Sequence, residues 1–187
     1  MKFSSLVFRE DGRLPDELRR LIFLNESPYI SLRQGNSHVR VQIDGPKEGS
    51  KIFFNISGDR RYPELNSIFS KILLLDTQLD INIEVIEEDG SILSTIVNCI
   101  VLSMCHSNIP LVDFPCSVTY SKIGVDLSGQ EEGSGKVMAV YLMNSMKIVY
   151  YKIEGKMDIE KIERVDEMGR EAVKKVYKIL RDELLNQ

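Results

Sequence analysis

The sequence has 187 residues, of which 43% are hydrophobic and 28% are charged, a balance typical of a folded globular chain, and we expect residues 1–187 to form a single domain. Its net charge of −4 argues against a protein whose whole surface binds nucleic acid, because phosphate binding requires clustered Lys and Arg. A local basic patch is compatible with this charge.

The cysteine pattern predicts reduced, buried thiols. Cys99, Cys105 and Cys116 are odd in number, lie in or beside apolar segments and show no C-x-x-C spacing. This pattern supports neither a disulfide framework nor a zinc site, and we expect no bound metal. Charged residues follow the start of the chain too soon for a signal peptide, so we expect an intracellular protein, cytosolic or nuclear.

The N-terminal part of the chain predicts a charged segment followed by short strands. Residues 9–20 are dense in charge and carry turn signals, which predicts an extended surface segment. Over residues 21–43 apolar and polar residues alternate loosely, which predicts two or three strands of a meander that stops at Asp44-Gly45-Pro46. A further strand is predicted over residues 52–56.

A first helix is predicted after Pro63. The apolar residues that follow recur at helical spacing of three and four, and they are Leu65, Ile68, Phe69, Ile72 and Leu73. A proline is favoured in the first turn of a helix. This stretch therefore predicts an amphipathic helix.

The stretch from residue 79 to residue 106 contains the predicted core. Apolar and polar residues alternate over 79–86, which is typical of a half-buried strand. After a turn at Asp89-Gly90, residues 92–104 are apolar almost all round, which predicts a helix over about 91–106 surrounded by protein. This segment is well short of the roughly 20 residues that cross a bilayer, so no membrane association is expected.

The C-terminal part predicts a second set of strands and a long helix. Strands are predicted over 116–123 and 125–127, and a hairpin over 137–154 turns at Asn144-Ser145. An apolar stripe over 158–185 predicts an amphipathic helix, in which Gly169 marks a kink or a close contact. The whole pattern predicts an α+β fold with mixed and antiparallel sheets packed with a buried central helix and a long C-terminal helix.

Six sequence blocks occur in the order seen in a known family. They are Arg9-x-Asp11-Gly12-Arg13-x-x-x-Glu17-Leu18-Arg19, Gln34-Gly35-Asn36-Ser37, Gly45-Pro46, Asp80-Ile81 followed by Glu88-Asp89-Gly90, Asn108-Ile109-Pro110-Leu111-Val112-Asp113-Phe114, and Asp126-Leu127-Ser128-x-x-Glu131-Glu132. In these blocks the chain resembles the ribonuclease PH family, and most of all the eukaryotic exosome ring subunits whose archaeal relative is phosphorolytic. The resemblance implies a ribonuclease PH-like fold (ribosomal protein S5 domain 2-like) and assembly into a six-membered ring with a central RNA channel.

The resemblance places a phosphate loop at Asp89, Gly90 and Ser91, before the start of the central helix. Such a loop supplies backbone N–H groups and a small hydroxyl residue, and helix N-termini favour anions. In an ungapped match, Ile92 stands where the family has the hydroxyl and Leu93 where archaeal relatives have Arg. The neighbouring glutamates work against phosphate binding. The loop is therefore interpreted as degraded.

The resemblance also places the family's two catalytic carboxylates at Asp126 and Glu132. In active relatives both are aspartates, so the second side chain here is longer by a methylene, and a displacement near 1 Å at a catalytic carboxylate is costly. We interpret the pair as a vestigial, inactive site. The alternatives are that Asp126 satisfies backbone N–H groups at a strand end, and that Glu131 and Glu132 belong to a solvated acidic loop.

Three residues are candidates for RNA contacts. The family places an arginine-rich segment before the amphipathic helix, which here is shortened and reduced to Arg60 and Arg61. Guanidinium groups suit phosphate oxygens, but a plain surface turn is the equal alternative. His38 falls where relatives have Lys and is a candidate for contact with RNA or a neighbouring subunit; the alternative is an ordinary surface histidine.

Three functional hypotheses follow. The first is a non-catalytic ring subunit of the RNA exosome that helps to form the channel for 3′ to 5′ RNA processing and degradation, including rRNA processing, and needs no cofactor. The second is a phosphate-dependent 3′ to 5′ exoribonuclease that retains activity through Asp126, Glu132, Ser91 and the two arginines, with inorganic phosphate and Mg²⁺. A third, outside the family, is an α+β scaffold of other function. The substitutions in the loop favour the first.

The resemblance further implies the partners and location of the protein. The expected partners are other ribonuclease PH-type exosome subunits, S1/KH-type cap subunits and single-stranded RNA. The expected location is the nucleus, including the nucleolus, and the cytoplasm. The position in the ring, the oligomeric state of the isolated chain and the RNA substrates stay open.

Overall fold

The computed structural model describes residues 8–58, 60–74, 76–157 and 159–186. Within these ranges the chain forms two β-sheets and three α-helices, which confirms the α+β prediction. No helix in the described part of the chain is long and apolar enough to cross a membrane.

The first sheet has five strands in the order β1-β2-β3-β5-β4. Their bounds are Leu21–Glu26 (β1), Tyr29–Gln34 (β2), Ser37–Lys47 (β3), Ile52–Ile56 (β4) and Gln78–Glu87 (β5). The strands β1, β2, β3 and β5 pair antiparallel, whereas β4 pairs parallel to β5 at the edge of the sheet. The predicted meander and the alternating strand before the central helix are thereby confirmed.

The predicted stop at Asp44-Gly45-Pro46 is wrong. Strand β3 continues to Lys47, and its register against β5 shifts between Asp44 and Lys47. A bulge of this kind accommodates turn-forming residues within a paired strand. The strand therefore bends at these residues instead of ending.

The second sheet has three antiparallel strands in the order β6-β7-β8. Their bounds are Pro115–Tyr120 (β6), Lys136–Leu142 (β7) and Lys147–Glu154 (β8), which confirms the predicted hairpin. The strand predicted over 125–127 is reduced to a single bridge between Val125 and Tyr120. After this bridge the chain leaves the sheet, and the loop that follows contains Asp126 and Glu132 and runs towards the central helix.

The three helices are α1 (Glu64–Phe69), α2 (Ile92–His106) and α3 (Ile159–Leu185). Helix α2 lies between the sheets, in contact with β2 and β3 on one side and with β6 and β7 on the other. Ile96, Ile100 and Leu102 on this helix are fully buried, which confirms the predicted core helix. Ser91, Ile92 and Leu93 at its N-terminal end line a cavity, so this end of the helix is available to form a site.

The last helix packs on β6. A Cβ atom at Gly169 would lie 2.5 Å from the ring of Tyr120, so this glycine is a close-contact point. Asp158, where the helix was predicted to begin, lies outside the described residues. Helix α1 is shorter than its apolar pattern predicted, although Ile72 beyond its end is still fully buried.

Candidate functional site

A cavity of about 270 Å³ opens at the N-terminal end of α2. Its floor contains Ser91, Ile92 and Leu93, and β7 and β8 contribute Lys136 and Lys152. The remaining lining residues are Arg61, Tyr62, Pro63, Glu64, Glu88, Thr119, Glu132, Met138 and Glu154. The fold thus brings together three of the predicted site residues, namely Ser91, Glu132 and Arg61.

Both lysines of this cavity are neutralised by glutamates. Lys136 Nζ lies 2.8 Å from Glu132 Oε2 and 3.4 Å from Glu154 Oε2. Lys152 Nζ lies 2.7 Å from Glu64 Oε1 and 2.6 Å from Glu154 Oε1. The hydrogen bonds that Lys152 donates to Glu154 and Glu64 raise the pKa of Lys152, and the bond to Glu154 lowers the pKa of that carboxyl. The described lining has three cationic and four acidic side chains, so the cavity does not favour the binding of an added anion such as phosphate.

Glu132 holds the position at which an incoming anion would meet the loop. The backbone N–H of Ser91 donates to Glu132 Oε1 at 2.7 Å. The Ser91 hydroxyl turns away and donates to the carbonyl of Leu127 at 2.9 Å. Ser91 adopts a left-handed backbone conformation with φ of 53° and is almost fully buried. The Glu132 carboxylate therefore already accepts the hydrogen bond from the backbone N–H group that a phosphate would use.

The turn before Ser91 is held against the loop that follows Asp126. Gly90 has φ of 72°, and a Cβ atom there would lie 2.4 Å from the carbonyl carbon of Ser128. The N–H of Gly129 donates to Asp89 Oδ1 at 3.1 Å. Both the backbone conformation and the close approach require glycine at position 90.

Asp126 is fully buried and is bound by Arg19. Arg19 Nε and one terminal nitrogen donate to Asp126 Oδ1 at 3.1 and 2.7 Å, and the Arg19 backbone N–H donates to Oδ2 at 2.7 Å. Among the described residues, the cavity lining does not include Asp126. The structure therefore gives Asp126 and Glu132 different partners: Arg19 for the first, Ser91 and Lys136 for the second.

The chain also forms a second buried ion pair beside Asp126. Arg9 Nε donates to Glu131 Oε1 at 2.7 Å, and the Ser128 N–H donates to Glu131 Oε2 at 2.8 Å. Burial acts to raise the pKa of Glu131, but the bonds from Arg9 and Ser128 outweigh it and lower the pKa to about 2. The alternative of a solvated acidic loop is wrong for Glu131, which is 7% exposed.

The prediction of an extended surface segment over residues 9–20 is wrong for Arg9 and Arg19, whereas Arg20 is exposed. Arg9 and Arg19 are 6% and 8% exposed, because their guanidinium groups reach into the loop that carries Asp126 and Glu131. Arg19 also donates to the carbonyls of Asp89 and Gly90, which ties this segment to the start of α2. Sequence reasoning missed both arginines as site residues, although they belong to the first of the six blocks.

The predicted RNA-contact residues differ in exposure. Arg60 is exposed and lies 3.0 Å from Glu88, and Arg61 is exposed at the mouth of the cavity. His38 is only 9% exposed, with Nε2 at 2.6 Å from Ser31 Oγ, so the interpretation as a surface histidine is wrong. Burial and the nearby Arg33 and Arg40 lower the pKa of His38.

The three cysteines are free thiols, as predicted. Cys99 and Cys116 are buried and Cys105 is partly buried, and burial raises the pKa of all three. Among the described residues there is no cluster of His, Cys, Asp and Glu that would hold a metal ion.

Comparison with known proteins agrees with the fold and the sequence blocks. No family model matches the chain. The chain is 24% identical to exosome complex component ski6 of Schizosaccharomyces pombe, over 90% of this chain and 87% of that protein. It is also 24% identical to human exosome complex component RRP41, over 95% of this chain and 90% of that protein. The chain is a homologue of these exosome components.

Solved structures of exosome proteins share the fold of this homologue. Rice (Oryza sativa) Rrp46 superposes with a TM-score of 0.83 at 19% identity, covering 95% of this chain and 100% of that one. A chain of an archaeal exosome core superposes with a TM-score of 0.70 at 16% identity, covering 93% and 91%. These similarities confirm the predicted fold and the resemblance to ribonuclease PH-type exosome subunits.

Proposed function

We propose that the protein is a non-catalytic ring subunit of an RNA exosome, which forms part of the channel that guides RNA during 3′ to 5′ processing and degradation. The observation that carries the non-catalytic part is the contact between Glu132 and the backbone N–H of Ser91. A carboxylate of the chain holds this donor, and the two lysines beside it are paired with glutamates.

Phosphorolysis requires inorganic phosphate next to the last phosphodiester of the RNA, with donors for the charge that develops in the transition state. In this cavity the lysines are bound to Glu64, Glu132 and Glu154, and Ile92 and Leu93 contribute apolar side chains. A phosphate entering the cavity would displace these carboxylates and meet their repulsion. We infer that the cavity neither binds phosphate nor needs a metal or other cofactor.

The ring assignment draws support from the relatives. Their names describe exosome components, and one structure with this fold is an Archaeoglobus fulgidus exosome with RNA bound to the active site. We propose that this chain assembles with other ribonuclease PH-type subunits and S1/KH-type cap subunits in the nucleus, nucleolus and cytoplasm. In this proposal Arg60 and Arg61 contact the RNA backbone, because both are exposed near the cavity mouth.

A phosphorolysis assay tests the non-catalytic assignment. The purified chain, alone and mixed with its ring paralogues, is incubated with a single-stranded RNA at saturating phosphate, and released nucleoside diphosphates are measured. We expect no release that depends on this chain. Release that is lost when Glu132→Gln replaces the wild-type chain in the same mixture would instead establish a phosphate-dependent exoribonuclease.

A further inference from the structure

At the β4 edge of the five-stranded sheet, where no other described strand pairs, the sheet forms a groove with helix α1. Two adjacent hollows, of about 610 and 550 Å³, follow β4 from Ser50 to Gly58, and Asn66 of α1 lines both. Ser67 on the exposed side of α1 and Ser70 directly after the helix line the same wall. Helix α1 is fixed beside the strand because the rings of Phe54 and Phe69 pack with centroids 5.7 Å apart.

Alternate residues of β4 use their backbone N–H and C=O groups to bond to β5, and the residues between them do not. The N–H of Leu79 donates to the carbonyl of Lys51, and the N–H of Ser57 donates to the carbonyl of Ile83. Because bonding residues alternate along a parallel pair, the backbone N–H and C=O groups of Phe53 and Asn55 also point towards β5. The N–H and C=O groups of Ile52, Phe54 and Ile56 therefore point to the free edge, where an added strand would pair with them.

The side chains along this edge are incompletely covered. Ile52, Phe54 and Ile56 are half-buried on the core side, and Phe53 is 43% exposed on the other side. Thr77 Oγ1, which lines one hollow, is buried without a hydrogen-bond partner among the described residues. The exposed part of these apolar side chains is surface that an occupant would contact.

The positive charge of the groove indicates which kind of partner would bind there. Within the described part of the chain the lining contains Lys51, Arg60 and Arg61 and no carboxylate. Arg60 is partly balanced by Glu88 outside the groove, whereas Lys51 lies at the opposite end. Cations at both ends of a strand edge complement an extended segment with acidic ends and apolar alternate positions.

We propose that the groove between β4 and α1 binds an extended, acidic segment of a partner protein by strand addition. Such binding uses main-chain hydrogen bonds for affinity and alternate side chains for specificity. The five residues of β4 span about 17 Å at roughly 3.3 Å per residue, so a core of five or six partner residues fits the edge. The inference does not rest on ring assembly, but the groove shares Arg61 with the cavity at α2 and shares Arg60 and Arg61 with the RNA contact proposed above.

A synthetic peptide tests the proposal on the full chain. The probe is a fluorescent ten-residue peptide with valine and threonine alternating at its six central positions and two aspartates at each end. We expect saturable binding by fluorescence anisotropy that is at least tenfold weaker when the aspartates are replaced by lysines. We also expect at least tenfold weaker binding to Asn66→Trp, which fills the groove from the exposed side of α1, and unchanged binding to Lys178→Trp on the exposed side of α3.

Amide hydrogen exchange locates the bound peptide. We expect the peptide to slow exchange at Ile52, Phe54 and Ile56 at least tenfold, with little change at Phe53 and Asn55, whose amides are bonded to β5. Absence of binding, equal binding to Asn66→Trp, or protection without this alternation would overturn the proposal. A uridine decamer that protects the same three amides and displaces the peptide would assign the groove to RNA and also overturn it.

Discussion

Arg19 binds both carboxylate oxygens of Asp126, with its guanidinium group on Oδ1 and its own backbone N–H on Oδ2. The two residues are 107 positions apart, and both are buried. The contact fixes the N-terminal charged segment to the loop beside α2. Asp126 therefore has a structural task in this chain.

Replacing Asp126 by Asn should destabilise the fold. Asn tolerates the left-handed backbone at this position, where φ is 53°, so the main change is the loss of the charge that pairs with buried Arg19. Removing one partner of a buried ion pair costs about 3 kcal/mol. Urea unfolding measures the loss, with Asp16→Asn as control, because the Asp16–Lys175 pair is exposed and contributes less than about 1 kcal/mol. Equal stabilities of the two variants would contradict the structural role.

Glu131 should make stability depend on acid pH. Its pKa is lowered from 4.5 to about 2 in the folded state, so its contribution is fully present above about 4.5 and is lost as the pH falls towards 2. The contribution is about 3 kcal/mol at neutral pH. The free energies of unfolding of wild type and Glu131→Gln should therefore differ most above pH 5 and converge below it. A constant difference down to pH 2.5 would refute this, and the exposed variant Glu171→Gln should stay within about 1 kcal/mol of wild type throughout.

The cavity at α2 should bind phosphate only after its carboxylates are removed. Glu132→Gln together with Glu154→Gln removes both carboxylates from Lys136 and leaves Lys152 paired with Glu64 alone, so millimolar phosphate should raise the midpoint of thermal unfolding by about 3 °C relative to chloride at equal ionic strength. The wild-type protein should show no shift. The control is Glu163→Gln with Glu171→Gln, which changes the net charge equally on the exposed face of α3. A phosphate shift in the wild type would argue against an occupied anion site.

Gly169→Ala should destabilise the protein, although alanine normally stabilises a helix by up to about 1 kcal/mol relative to glycine. The added Cβ atom would lie 2.5 Å from the buried ring of Tyr120, and forced repacking costs about 2 kcal/mol. Gly133→Ala is the control, because among the described residues no atom apart from those of its chain neighbours lies within 4 Å of its Cβ position. The two variants are compared by urea unfolding. A Gly169→Ala variant that is more stable than the wild type would contradict this prediction, because it would show that the Tyr120 ring moves away from the added Cβ atom at little cost.

Local patterns were enough to predict the core. The alternation in β5 and the continuous apolar surface of α2 depend on nearest neighbours along the chain, so periodicity shows them directly. The bend at Gly45-Pro46 was misjudged because local turn preference does not show whether a partner strand continues beside it.

The electrostatic part of the site was beyond local reasoning. Arg9 bonds to Glu131 across 122 positions, and Arg19 to Asp126 across 107. A run of charged residues normally indicates a solvated surface, and only the tertiary fold shows which charges are paired and buried. The burial of His38 was missed for the same reason, since its contact with Ser31 is made across two neighbouring strands of the sheet.

The most direct test of the ring assignment is association with the paralogous ring subunits. An acidic chain is suited to basic partners, and a specific interface buries on the order of 1,600 Å². The chain is mixed at micromolar concentration with each ribonuclease PH-type exosome paralogue from the same genome, and the mass is measured by light scattering during size-exclusion chromatography. We expect a heterodimer or a complete ring with at least one paralogue or with the full set. Elution at the 21.4 kDa mass of the single chain with every paralogue offered would contradict the assignment.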